Sequence, residues 1–199
     1  MTNNSTKSKV VFDISMSLDG FIAASNRSAE EPMGAGGERL HGWVMDDEDS
    51  RNRKLLEEAG QGLGAVITGR VTYDDSLRWW GANGPTGPAR IPVFVLTHQT
   101  PENVPENSVY TFVNGIESAL EQAKKAANGK VVSVMGGADT AQQFISAGLV
   151  DEISIHLVPV LFGEGIPLFE KLGDEHVLLE PVTIMDTSKA THLQYRVVK

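Results

Sequence analysis

The stretch from Val131 to Phe144 restricts the fold more than any other. A short β-branched apolar run stops at Gly136 and Gly137 and passes into a helical pattern with Ala138, Ala141 and Ile145 on one face. This pattern predicts a buried strand feeding a helix through a turn that lacks Cβ atoms. In its simplest reading the turn is a tight connection and nothing more. It also lets a ligand approach the backbone, and the free N–H groups of the helix's first turn favour an anion there. The other strand ends decide between these readings.

Similar units recur along the chain. Val10 to Ala23 begins as a strand, breaks at the turn pair Asp19-Gly20 as a hairpin or bulge, and resumes as a short apolar piece. Residues 24–42 are rich in glycine and polar residues and predict a long loop, a length that usually serves function or is disordered. Trp43 leaves this loop either as a core anchor or as the wall of a pocket. Asp46, Asp47, Glu48 and Asp49 precede Arg51, Arg53 and Lys54, the order a helix dipole prefers, so capping explains the acidic run most economically. Leu55, Leu56 and Ala59 are the expected buried face of that helix, which Gly60 and Gly62 end.

Ala65 to Thr68 is a buried strand followed by Gly69-Arg70-Val71-Thr72-Tyr73, again strand, glycine and helix start, now with an arginine suited to phosphate. Strands follow at residues 92–96, ending at Thr97-His98, and at residues 110–113, then an amphipathic helix from Ile116 that stops at Asn128-Gly129. After Asp151 the alternation of strand and helix ceases. Residues 152–160 alternate with period 2, residues 162–167 form a glycine-bracketed loop, and residues 178–185 and 191–198 read as a closing antiparallel pair. The sum is a single α/β domain at residues 9–199, with a mixed sheet of about eight strands and antiparallel C-terminal strands.

Composition removes several function classes. A net charge of −9 argues against sequence-independent nucleic-acid binding. Zero cysteines exclude thiol and disulfide chemistry, and the five histidines show no ligand spacing, so no metal is expected. No apolar run approaches a membrane span. Residues 1–8 read as a polar, disordered lead without an export signal, which makes the cytoplasm the expected compartment.

In a parallel sheet the strand C-terminal ends share one edge, and ligands bind in the crevice outside it. Gly69-Arg70, Thr97-His98 and Gly136-Gly137 all fall at such ends, so an arginine, a hydroxyl and a backbone cradle are expected to converge. Together they suit a dinucleotide, although the Rossmann fingerprint and the Walker P-loop are both absent.

Five blocks then carry a resemblance: residues 17–23 (Ser17 to Ala23), 68–73 (Thr68 to Tyr73), 95–97 (Val95 to Thr97), 135–138 (Met135 to Ala138) and 158–169 (Val158 to Phe169). In order and spacing they resemble the dihydrofolate reductase-like superfamily, and more closely its branch holding the reductase domain of the bifunctional riboflavin-biosynthesis deaminase-reductase. The resemblance implies the three-layer fold with helices on both faces, NADPH as cofactor, hydride transfer to a small heterocyclic or carbonyl compound of the 5-amino-6-(5-phosphoribosylamino)uracil or pterin kind, and a homodimer. By the same resemblance Gly69, Arg70 and Thr72 hold the adenosine-side phosphates, with Arg70 reading a 2′-phosphate, and Thr97 and His98 lie beside the adenosine. Gly136 and Gly137 match a glycine pair joined by a cis peptide, Ala138, Asp139 and Thr140 offer N–H groups to the pyrophosphate, and Ser15, Ile22 and Ala23 face the nicotinamide. On the substrate side the candidates are Trp43, Asp47, Asp49, His156 and Glu164. His156 takes either the substrate-facing strand position or the role of a hydrogen-bonded, half-buried histidine. The branch's basic residues for a ribose phosphate are replaced here by Phe162-Gly163-Glu164-Gly165, and no deaminase portion precedes the reductase-like one. A non-catalytic dinucleotide-binding or regulatory module is the alternative, and a flavin- or nucleotide-binding protein of similar layout is a third reading.

Overall fold

The computed structural model describes residues 8–46 and 48–199. Ten strands form in chain order: β1 (Val10–Ser17), β2 (Phe21–Ala24), β3 (Leu63–Gly69), β4 (Val93–Leu96), β5 (Tyr110–Val113), β6 (Val131–Met135), β7 (Glu152–Val158), β8 (Gly165–Pro167), β9 (Leu179–Asp186) and β10 (Thr191–Val197). The helices are α1 (Ser50–Gly62), α2 (Arg70–Trp80), α3 (Ile116–Ala127) and α4 (Ala138–Ser146). Eight strands make one mixed sheet in the order β5-β4-β3-β6-β1-β7-β10-β9, in which β10 alone runs antiparallel to its neighbours. Crossover connections impose the parallel part, because parallel strands cannot be joined by a hairpin; the one from β4 to β5 is an irregular loop and the others carry helices.

Residues in register across the sheet project to the same face. On one face α3 packs on β3, β4 and β6 and α4 on β3 and β6, and Phe12, Val132 and Val134 are fully buried with Ala119, Ala123, Ala141 and Phe144. On the other face α2 stands over β3, β4 and β5, where Tyr73 packs edge-on to Tyr110 and Phe112. Farther along that face Trp43 joins Leu40, Val158 and Ala190 in a separate cluster. Between the two stands a row in register, Met135 on β6, Asp13 on β1, Ser154 on β7 and Gln194 on β10, and every member is half-buried. That row separates the two clusters and keeps part of its surface open to solvent.

Several local expectations are corrected. The resumed apolar piece after Asp19-Gly20 does not fold back on β1. It pairs instead with β8, inside the expected loop, as a second two-stranded sheet. On α1, Leu56 and Ala59 are exposed, Leu55 is half-buried and the buried residue is Asn52. The helix also runs through Gly60 to Gly62, since nothing packs there to force a stop. Ser8, expected in the polar lead, is buried and its Oγ accepts a hydrogen bond from the Gly129 N–H. Residues 1–7, the rest of that expected lead, and the candidate Asp47 lie outside the described residues.

Candidate functional site

β3 and β6 are neighbours, so the helices that follow them start side by side. Gly69 and Gly137 are the N-caps of α2 and α4, and neither helix start has a side-chain cap. Two adjacent first turns therefore present N–H groups that no capping side chain takes up. The glycines also let the two helices interlock. A Cβ on Gly136 would lie 2.5 Å from Thr72 Cγ2, and one on Gly69 would lie 2.6 Å from Thr140 Oγ1. Each strand-end glycine is thus the slot for a threonine of the other strand's helix. The expected cis peptide between Gly136 and Gly137 is absent, because no described peptide bond is cis. The chain reverses through trans peptides with φ of 73° and 66° at the two glycines, a conformation open to residues without a Cβ.

Arg70 reaches from the start of α2 toward the end of β4. Its Nε donates to both carboxylate oxygens of Asp74 at 2.8 Å, and Nη1 donates to the Gln99 carbonyl at 2.8 Å and to Thr97 Oγ1 at 3.4 Å. The structure thus brings Arg70, Thr97, Thr72, Thr140 and the paired glycines to one edge. Neighbouring His98 turns its Nδ1 to Asn114 Oδ1. Asp139 accepts from Gln143 within α4, and Ala138 is half-buried beside it.

A second cluster lies farther along the same sheet face. Trp43 Nε1 donates to Ser15 Oγ at 2.9 Å, with both side chains buried. The indole lies 4.2 Å from the His156 ring and 4.8 Å from the His192 ring, centroid to centroid. It therefore anchors a cluster and walls it at once. His156 Nδ1 and His192 Nδ1 are 2.8 Å apart, His192 Nε2 meets Asn52 Oδ1 at 3.0 Å and Thr187 Oγ1 at 3.2 Å, and His156 Nε2 is 3.4 Å from Asp13 Oδ1. Burial, and next the positive charge of His156, push the His192 pKa down to about 4. Ile22 and Ala23 of β2 are buried near the end of β1.

The remaining candidates go elsewhere. Asp49 caps α1, accepting from the Arg51 N–H and side chain, and also accepts from the Ser188 N–H at the β9–β10 turn. Arg51 first of all holds its carboxyl well below the usual range. Asp46 binds Ser188 Oγ and Lys189 in the same turn, so this part of the acidic run is structural. Glu164 is exposed on a loop held by Asp19, which accepts from the N–H groups of Phe162 and Gly163. Asp13, Asn52, Asp74, Thr187 and His192 were not legible as site residues. Their roles depend on strand register and helix placement, and no local motif marks them.

The sequence model of the RibD C-terminal domain matches residues 8–193. A curated relative, the uncharacterized protein YyaP of Bacillus subtilis (strain 168), is 28% identical over 180 residues, covering 85% of this chain and 84% of that one. Among solved structures, a diaminohydroxyphosphoribosylaminopyrimidine deaminase/5-amino-6-(5-phosphoribosylamino)uracil reductase from Thermotoga maritima is similar with a TM-score of 0.66 and 16% identity, over 96% of this chain and 57% of that one. Dihydrofolate reductase from Enterococcus faecalis, complexed with NADP(H), is similar with a TM-score of 0.57 and 17% identity, over 96% and 97% of the two chains. The sheet order, the paired helix starts and a family match over nearly the whole length agree: this chain belongs to the RibD C-terminal domain family, with the dihydrofolate reductase-like fold.

Proposed function

We propose that the protein is an NADPH-dependent reductase of a small heterocyclic or carbonyl compound. One observation carries the reading: two uncapped helix starts and the Arg70 guanidinium stand together at the ends of adjacent parallel strands. The residues fit a dinucleotide. The N–H groups of residues 138–140 and of the start of α2, with Thr72 and Thr140, would hold the phosphates. Arg70 Nη2, which has no partner among the described residues, would bind a 2′-phosphate, while Asp74 occupies Nε. Thr97 and His98 flank the adenosine, and Ser15, Ile22 and Ala23 border the nicotinamide end, next to the Trp43–His156 cluster. When bound, the cofactor supplies the hydride, and the chain supplies alignment and a dry wall. Compounds of the kind named for the Thermotoga protein, or pterins, are the first substrates to try, with Trp43 and His156 as the contacts on that side; Asp49 and Glu164 are already engaged or exposed elsewhere.

The chain further reads as a homodimer. β9 is a sheet edge with Leu179, Val182 and Ile184 exposed, flanked by exposed Leu178 and Val198, and no described helix covers it. An apolar edge of that length invites pairing with a second copy about a two-fold axis. No described helix is long and apolar enough to cross a membrane.

Thermal shift with each nicotinamide cofactor tests the reading. NADPH is expected to raise Tm more than NADH, and Arg70→Ala to weaken NADPH about 10–100-fold, the worth of one charge-assisted contact. Equal shifts, or an Arg70→Ala protein that binds NADPH unchanged, would overturn it. Binding without NADPH oxidation across 5-amino-6-(5-phosphoribosylamino)uracil, pterins and small carbonyls would establish the non-catalytic module instead.

A further inference from the structure

The buried histidine pair beneath Trp43 fixes where a proton can move. The Thr187 hydroxyl donates to the Ala190 carbonyl at 2.8 Å, so its Oγ1 can only accept from His192. The Asn52 amide lies 3.0 Å from the same nitrogen through Oδ1, and its Nδ2 is buried with no partner among the described residues. His192 Nε2 must therefore carry a hydrogen. Burial holds His192 neutral, and a neutral imidazole has one N–H, so its Nδ1 is a bare lone pair. The contact at 2.8 Å between the two Nδ1 atoms then requires the hydrogen to sit on His156 Nδ1. That leaves His156 Nε2 as the free position, 3.4 Å from Asp13, whose side chain is 43% exposed.

We propose that His156 is the proton carrier of this site, gaining and losing its proton at Nε2 beside Asp13, while His192 is a positioning residue that holds His156 Nδ1–H in place. The destination of the proton rests on the reductase reading. As a hydride adds to a C=N or C=O carbon, the π pair moves to the heteroatom. The Nε2 proton then bonds that atom, and the imidazolium becomes neutral imidazole. Solvent returns a proton past the exposed Asp13 carboxylate. The groups facing the pair among the described residues are Asp13 from β1, Thr187 from the β9–β10 turn and Asn52 from α1. Asp49 and Arg51 act on His192 from a distance, and His41, at the end of the turn before Trp43, has its pKa lowered by the protein around it and then by His156.

Two-bond 1H–15N spectra of the histidines in the full chain, without cofactor, test the assignment from about pH 5 to 9. His156 is expected to keep its Nδ1 proton throughout while Nε2 alone changes, and His192 to show Nε2–H with bare Nδ1. His192→Phe should release His156 into mixed tautomers, and His192→Gln, whose amide oxygen can still accept from Nδ1–H, should restore the single form; a melting curve checks that each variant is folded. A proton on His192 Nδ1, or a His156 that keeps Nε2–H with Nδ1 bare, would overturn the proposal. Failure of NADPH to bind would refute the reductase reading and leave these spectra to judge the proton assignment by themselves.

Discussion

Gly136→Ala should be costly for a reason that a second substitution can partly remove. The added methyl would stand 2.5 Å from Thr72 Cγ2, 2.8 Å from its Oγ1 and 3.0 Å from its Cβ, all inside van der Waals contact. Overpacking of this kind costs about 1–3 kcal/mol. Holding alanine at φ of 73° costs about 1–2 kcal/mol more. The single variant should therefore lose about 2–5 kcal/mol, the sum of those two ranges. Thr72→Ala deletes the two nearest atoms and by itself should cost about 1 kcal/mol. In the double variant the clash is relieved and the backbone term stays, so urea unfolding should give a favourable coupling of about 1–3 kcal/mol. Gly137→Ala is the control: its methyl meets Thr72 Oγ1 at 3.4 Å and Thr140 Oγ1 at 3.8 Å, so the backbone term alone should apply, about 1–3 kcal/mol for alanine at φ 66° and ψ 121°. Additive effects of Gly136→Ala and Thr72→Ala, within about 0.5 kcal/mol, would refute the interlock of the two helix starts.

Trp43→Phe strands Ser15 Oγ in a buried site and should cost about 1–3 kcal/mol beyond the lost packing, with the Trp43→Phe/Ser15→Ala cycle recovering part of it in urea unfolding. The Ser17 hydroxyl first, and the Gly163 and Phe162 N–H groups after it, hold the Asp19 carboxyl below its ordinary 3.8, so its contribution is present above about pH 4 and is lost as pH falls below that. Amide exchange at Phe162 and Gly163 should accordingly speed up in Asp19→Asn at neutral pH. His192 behaves with the same sign in a higher window: its folded pKa of about 4 lies below the ordinary 6.5, so the unfolded chain binds the extra proton and stability falls as pH drops from 6.5 toward 4. That slope should flatten in His192→Phe unfolding curves taken across the same range. Ile184→Lys should convert a dimer to a 21.5 kDa particle in light scattering; wild-type protein already of that mass would remove the edge-pairing argument.

Local chemistry alone determined the strand–glycine–helix units. A β-branched run at residues 131–135 and glycines at 136 and 137 dictate a buried strand and a sharp exit whatever surrounds them, and the same holds at residues 65–70. Parallel topology then carries Gly69, Arg70, Thr97 and Gly136 to one edge, because strand direction fixes which ends are neighbours. Sequence could not tell that the acids Asp46 and Asp49 serve the β9–β10 turn. A carboxylate near a helix start looks the same whether it caps, binds a loop or grips a ligand. Nor could it pair His156 with His192, since the register of β7 against β10 makes them opposite one another. Asn52 comes to His192 from α1, far away in sequence. Periodicity and turn residues act over a few residues and so survive in the sequence. The meeting of Asp13, Asn52, His156 and His192 comes from four separate elements, and it exists once the sheet has set their distances.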